Sequence, residues 1–151
     1  MNSADAGVGG VVRRKLRTAQ SMSWSDRCLV AEAVLMLGAA RATLLLLPFR
    51  WFRPWLTVAG PGDASDRVLV SRVRRAIDIA SRNVPFSAVC LPQAMAAKAM
   101  LARRGICSSV CIGVARGADG AMLLHAWLEA GGSIVTGGAG RLAVTQVARF
   151  S

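Results

Sequence analysis

The chain has 151 residues, 54% of them hydrophobic, and 19 Lys and Arg against 8 Asp and Glu give it a formal net charge of +11. This length suits one domain with one modest core, and the hydrophobic share excludes a disordered chain. The charge suits an anionic partner, but tyrosine is absent and only 5% of residues are aromatic, which argues against a base-stacking nucleic-acid platform. We therefore expect no nucleic-acid partner.

The first twenty residues differ in composition from the rest. Residues 1–20 combine Gly, Ser and Ala with a basic cluster at 13–17, which predicts a flexible basic arm, and residues 21–151 are expected to form the folded domain. The start of the chain does not resemble a signal peptide, and its four cysteines are irregularly spaced. The sequence therefore predicts a cytoplasmic protein with reduced thiols.

The most apolar stretch covers residues 28–47 and ends at Pro48. Its length would suffice for a membrane span, but Glu32 and Arg41 lie within it, and charges inside a span are costly. A core helix with no membrane span is therefore expected. Residues 49–56 alternate aromatic residues with arginines and could face a membrane surface, contact a partner protein or cover the core.

Two further helices are predicted. Residues 65–82 form an amphipathic helix with a basic face, and residues 91–104 are strong helix formers with Pro92 in the first turn and Gly105 as a stop signal. Cys90 therefore starts a helix, where free N–H groups and the macrodipole stabilise a thiolate. The alternative is a small buried hydrophobe, the usual role of an isolated cysteine in an apolar stretch.

The pattern after the cysteine helix changes from helical to extended. Strands are predicted at 109–115, 122–130 and 133–136, with a hairpin turn at 131–132. Helices followed by an antiparallel meander indicate an α+β fold.

The single histidine of the chain, His125, lies on the second of these strands and shares a face with Trp127 and Glu129. A lone histidine there is more often a structural residue than a catalytic one. Its place downstream of Cys90 changes that interpretation, because a helix cysteine followed by a strand histidine is the layout of papain-like and transglutaminase-like enzymes.

Several motifs carry a closer resemblance. Residues 46–50, 90–96, 101–106, 110–114 and 125–129 resemble, in order, the motifs of the lasso-peptide biosynthesis leader peptidases. These B proteins form a transglutaminase-like, microcin-processing cysteine protease family. The similarity covers about residues 20–140.

The resemblance implies a fold, an activity and partners. The fold would be papain/transglutaminase-like, with N-terminal helices followed by a nucleophile helix and a small antiparallel sheet. The protein would remove the leader from a ribosomally made precursor, so that a separate ATP-dependent cyclase can close the macrolactam. The arm at 1–20 is too short for the leader-recognition domain of some relatives, so a separate recognition protein is expected. No cofactor is implied.

In the implied mechanism, His125 takes the thiol proton of Cys90, and the backbone N–H of Cys90 binds the oxyanion. The family usually has an acidic residue on the strand after the histidine, and this chain has none there. Thr136, expected opposite Trp127, could orient the imidazole through its hydroxyl or a backbone carbonyl, and Asp119 could do so if its loop folds back.

Other possibilities stay open. Cys107 and Cys111 near His125 could suggest zinc, but C-x₂-C spacing is missing, so no metal is expected. The same fold could hold a peptide without cutting it, or transfer the acyl group to an amine. A basic membrane-surface or nucleic-acid protein would leave the Cys90 and His125 layout unexplained.

Overall fold

The computed structural model describes residues 22–48, 50, 51, 54, 66–86, 89–116, 121–138 and 144–150. Within these residues, a layer of helices packs on an antiparallel sheet. The elements in chain order are α1 (Trp24–Leu46), α2 (Arg67–Ser81), α3 (Cys90–Ala102), β1 (Ser109–Arg116), β2 (Met122–Ala130), β3 (Ser133–Thr136) and β4 (Thr145–Phe150). The predicted α+β class is confirmed. The predicted arm at 1–20 lies outside the described residues.

The long apolar helix α1 packs on α2 and α3 through one face. The side chain of Ser23 caps it by accepting a hydrogen bond from the Asp26 N–H, and the buried face consists of Leu29, Ala33, Leu37 and Ala40. By length and composition α1 could cross a membrane, a test that the core helix of a soluble protein also passes. Its opposite face leaves Leu35 and Leu45 exposed.

An ion pair explains the acidic residue in this apolar helix. Glu32 is largely buried, and Arg104, beyond the end of α3, donates to it with an Nη1 to Oε1 distance of 3.1 Å. This hydrogen bond holds the pKa of the Glu32 carboxyl below its ordinary value. The pair therefore ties the middle of α1 to the C-terminal end of α3.

The central element is α3, which packs on both other helices and on β2 and β3. Eight of its thirteen residues are buried. Pro92 lies in the first turn, and Gly105, with φ of 72°, follows its last turn in the left-handed conformation that ends many helices. These features agree with the predicted helix at 91–104.

The sheet has the strand order β3-β2-β1-β4, so β3 and β4 are its edges. The first three strands match the predicted ones, whereas β4 was not predicted from the sequence. β4 pairs with β1 and carries a register shift beside Gly113, where an added Cβ would lie 2.8 Å from the Thr145 carbonyl oxygen. The absence of a side chain at Gly113 lets the two strands approach.

Candidate active site

Cys90 is the first residue of α3, and its side chain is partly buried. The preceding N-cap residue, Val89, provides no side-chain cap. Val89 therefore leaves the first-turn N–H groups, those of Cys90 and Leu91, to other acceptors, and Pro92 has no N–H group. Such groups, together with the helix dipole, favour a negative charge at this position. The helix start thus suits both a thiolate and the oxyanion of an acyl intermediate.

His125 lies on β2 and is held by a backbone carbonyl. Its Nε2 atom is 2.6 Å from the carbonyl oxygen of Gly137, the residue directly after β3. Because a carbonyl oxygen can only accept, Nε2 donates its hydrogen, and the neutral ring keeps Nδ1 as its acceptor. The contact therefore selects a tautomer in which Nδ1 can take a proton.

Glycine is required at position 137. Its φ is 74°, and an added Cβ would lie 2.5 Å from the Ala126 carbonyl oxygen and 3.0 Å from Trp127 Cβ. Side chains rarely tolerate this conformation or so close a contact. The missing side chain lets the backbone turn tightly over β2, and this turn brings the carbonyl to His125.

An indole ring supports the imidazole from a second side. The rings of His125 and Trp127 are stacked with their centroids 6.2 Å apart and an interplanar angle of 21°. Trp127 is 1% exposed, and its Nε1 donates to Glu129 Oε1 at 2.9 Å. Glu129 also pairs with Arg149 of β4, at 3.6 Å. Glu129 therefore supports the histidine through Trp127.

The predicted orienting residues do not hold the histidine in the described structure. Thr136 pairs with Leu128 and not with Trp127, because the register of β2 and β3 shifts between Leu128 and Glu129. The Thr136 hydroxyl is buried and has no hydrogen-bond partner among the described residues. Asp119 lies outside them. The backbone-carbonyl alternative agrees with the structure, but at Gly137, which the sequence analysis did not single out.

The two predicted catalytic residues lie on elements that pack together, Cys90 on α3 and His125 on β2. Among the described residues, no hydrogen bond joins the Cys90 thiol to His125. However, Gln93 in the first turn of α3 and Gly137, which holds His125, line one groove of about 440 Å³. Catalytic hydrogen bonds are often long in ligand-free sites and shorten when substrate binds. We call this cavity the α2–β3 groove, after the two elements that form most of its wall.

The remaining cysteines do not form a metal site in the described structure. Cys28 is exposed, Cys107 is partly buried, and Cys111 is buried on β1 opposite Trp127. None of the four cysteines forms a disulfide. In the part of the chain that the structure describes, no group of three His, Cys, Asp or Glu side chains could hold a metal ion.

Comparison with known proteins identifies the family. The sequence profile of the transglutaminase-like superfamily matches residues 33–149, which is more than half of the chain. The match includes α2, α3 and the four strands, and both Cys90 and His125. No curated protein and no solved structure matches the chain significantly. The chain therefore belongs to the transglutaminase-like superfamily, whose fold is commonly that of a cysteine protease or acyltransferase.

This family assignment defines the chemistry to be considered. A thiol at a helix start, combined with a histidine whose Nδ1 is an acceptor, can attack a carbonyl and form a thioester. A thioester can then react with water or with an amine. The first outcome is peptide hydrolysis and the second is acyl transfer.

Proposed function

We propose that this protein is a cysteine peptidase that removes the leader from a lasso-peptide precursor. The observation that carries the proposal is the histidine tautomer, because the Gly137 carbonyl leaves Nδ1 of His125 as a base for Cys90. The ordered motifs at 90–96, 101–106, 110–114 and 125–129 support the lasso-peptide assignment within the superfamily.

The reaction would proceed through a thioester. His125 Nδ1 takes the thiol proton of Cys90, and the thiolate attacks the carbonyl carbon of the last leader residue. The resulting oxyanion is bound by the backbone N–H of Cys90. The imidazolium then gives its proton to the leaving amine, which becomes the new N-terminus of the core peptide. Water attacks the thioester, with His125 again as base, and releases the leader carboxylate and the free thiol.

The proposal includes partners and a location. A separate leader-recognition protein would deliver the precursor, and an ATP-dependent macrolactam cyclase would use the released amine. All of these steps would take place in the cytoplasm, where the four cysteines, none of which forms a disulfide, would stay reduced.

The test is mass spectrometry of a lasso-peptide precursor incubated with this chain and its recognition protein. Wild type is expected to release intact leader and core, whereas Cys90→Ala and His125→Ala are expected to leave the precursor uncut. Cys28→Ala removes an exposed thiol from α1 and provides the matched control, with full activity expected. Cleavage that persists in Cys90→Ala would overturn the proposal.

A second candidate is a related protein that binds the precursor without cutting it. It is favoured by the neutral carbonyl of Gly137, which holds His125 in a family that usually provides an acidic group. A third outcome, acyl transfer, is distinguished by ¹⁸O-labelled water. Hydrolysis places the label in the leader carboxylate, transfer to an amine leaves the leader unlabelled, and a silent module yields unchanged precursor.

A further inference from the structure

The α2–β3 groove has an arginine wall that the proposed chemistry does not use. Arg74 and Arg75 of α2, together with Arg82 directly after the helix, contribute to the wall, and the opposite side is formed by residues 134–138, which include the end of β3. β3 is an edge strand, so its outer side has no neighbouring strand within the described sheet. The groove therefore combines a basic helix face with an open strand edge.

The charges in this groove are not balanced. Asp78 is the acidic residue among those that line it, and it pairs with Arg82 at 2.8 Å. Arg74 makes one long contact, from Nη1 to the Ile134 carbonyl oxygen at 3.4 Å. Arg75 forms no ion pair within 4 Å among the described residues, although it lies close enough to Asp26 of α1 for a longer-range electrostatic interaction. At least two exposed guanidinium groups therefore face the groove with N–H donors to spare, and such groups bind carboxylates in a two-pronged geometry.

The dimensions suit an extended peptide. A second cavity of about 150 Å³ shares Ser71, Arg74 and Ile134 with the groove and continues along α2 to Arg67. From Arg67 to Ser81 the helix rises by about 21 Å. An extended chain of roughly six or seven residues has this length. An exposed strand edge is also a common docking site for extended peptides.

We propose that the α2–β3 groove binds an acidic, extended segment of the peptide substrate. The segment lies along the edge of β3, and its carboxylates pair with Arg74 and Arg75. This inference rests on the proposed function, because it makes the acidic segment a neighbour of the cleaved bond. It assigns a substrate class to the site, namely peptides with acidic residues within about seven positions of the scissile bond.

Binding is tested without cleavage, on full-length Cys90→Ala protein. The probes are a fluorescein-labelled peptide with three central glutamates and its counterpart with three glutamines, compared by fluorescence anisotropy. The glutamate peptide is expected to bind at least about tenfold more tightly, and Arg74→Gln with Arg75→Gln is expected to remove this preference.

The matched control must remove the same charge elsewhere. Arg103→Gln with Arg116→Gln lowers the net charge equally, and neither residue lines the groove. The Kd of the glutamate peptide for this variant is expected to lie within about twofold of its Kd for the parent protein. If both double variants weaken binding of the glutamate peptide equally, the preference reflects only the general attraction of a basic protein for an acidic peptide. That result would overturn the inference. Circular dichroism confirms that each variant is folded.

A charge reversal provides an independent test. Arg74→Glu with Arg75→Glu is expected to bind a peptide with three lysines in preference to the glutamate peptide, a change that a structural role would not produce. Inorganic phosphate at millimolar concentration is expected to displace the peptide only weakly. If phosphate alone binds as tightly as the peptide, the groove is a simple anion site and the peptide assignment is wrong.

The two proposals fail separately. Absence of acidic-peptide binding together with normal cleavage of a precursor would refute the groove assignment and leave the peptidase intact. Acidic-peptide binding by Cys90→Ala, together with no cleavage by wild type, would refute the peptidase and leave a peptide-binding site.

Discussion

Replacing Gly137 by alanine tests how His125 is held. The left-handed backbone at this position, with φ of 74°, costs alanine about 1 kcal/mol relative to glycine. The new Cβ would also lie 2.5 Å from the Ala126 carbonyl oxygen, so the backbone must shift, which adds about 1–3 kcal/mol. We therefore expect Gly137→Ala to lower the free energy of unfolding by about 2–4 kcal/mol in total.

Gly132→Ala is the matched control. Gly132 has a φ of 73°, but an added Cβ would meet no atom within 4 Å. Its substitution should therefore cost only the backbone term, about 1 kcal/mol. Urea unfolding of both variants measures the difference, and precursor cleavage is expected to fall about tenfold or more for Gly137→Ala alone.

A spectroscopic measurement follows the histidine directly. His125 is the only histidine of the chain, so ¹⁵N-histidine labelling gives a single Nε2–H signal in NMR spectra. This proton is expected to be protected from exchange in wild type and Gly132→Ala, and to exchange rapidly in Gly137→Ala. If the free energies of unfolding of Gly137→Ala and Gly132→Ala differ by less than about 0.5 kcal/mol and both keep the same Nε2–H signal, the close approach at Gly137 does not hold the imidazole ring.

Three further predictions concern α1, its ion pair and the indole beside His125. Leu37→Ala, at a fully buried position of α1, should lower the free energy of unfolding by about 2–5 kcal/mol. Leu35→Ala, on the exposed face of the same helix, should lower it by less than about 0.5 kcal/mol. Glu32→Gln should cost about 1–3 kcal/mol at pH 7. Because the hydrogen bond from Arg104 lowers the pKa of Glu32 in the folded protein, that stabilisation is present above the ordinary glutamate pKa and is lost as the pH falls below it. The unfolding curves of wild type and Glu32→Gln should therefore converge in acid, and a constant difference would contradict an ionic pair. Trp127→Phe removes the Nε1 donor but keeps an aromatic ring. The rate of precursor cleavage should fall severalfold while the protein stays folded. Unchanged cleavage kinetics would contradict the support of His125 by Trp127.

Much of the helical layer could be predicted from local sequence alone. Apolar periodicity, the proline in the first turn of α3 and the glycine at 105 are local signals, and the structure agrees with them. β4 was missed because its residues, Thr145–Phe150, alternate weakly and include several polar side chains. Its strand conformation depends on pairing with β1, which is a tertiary contact.

In the candidate site, too, the local features could be predicted from the sequence and those that depend on tertiary contacts could not. Residue type and order were sufficient to select Cys90 and His125 as candidates, because a helix start and a strand are local features. The group that holds the histidine could not be selected in this way. Its position depends on the register shift between β2 and β3, which replaces the expected opposition of Trp127 and Thr136 and places the Gly137 carbonyl at the ring.

The use of a main-chain carbonyl to hold His125 affects how this lineage can change by mutation. Every amino acid carries a carbonyl, but only glycine allows the backbone path that brings this carbonyl to the ring, so a substitution at position 137 disrupts the contact through the backbone. Substitutions at position 137 are therefore limited by the backbone conformation that they allow and not by the chemistry of the side chain. A search for a side chain that orients His125 would find none in the expected place, because the group that holds the ring is a main-chain carbonyl oxygen, which residue identity does not reveal.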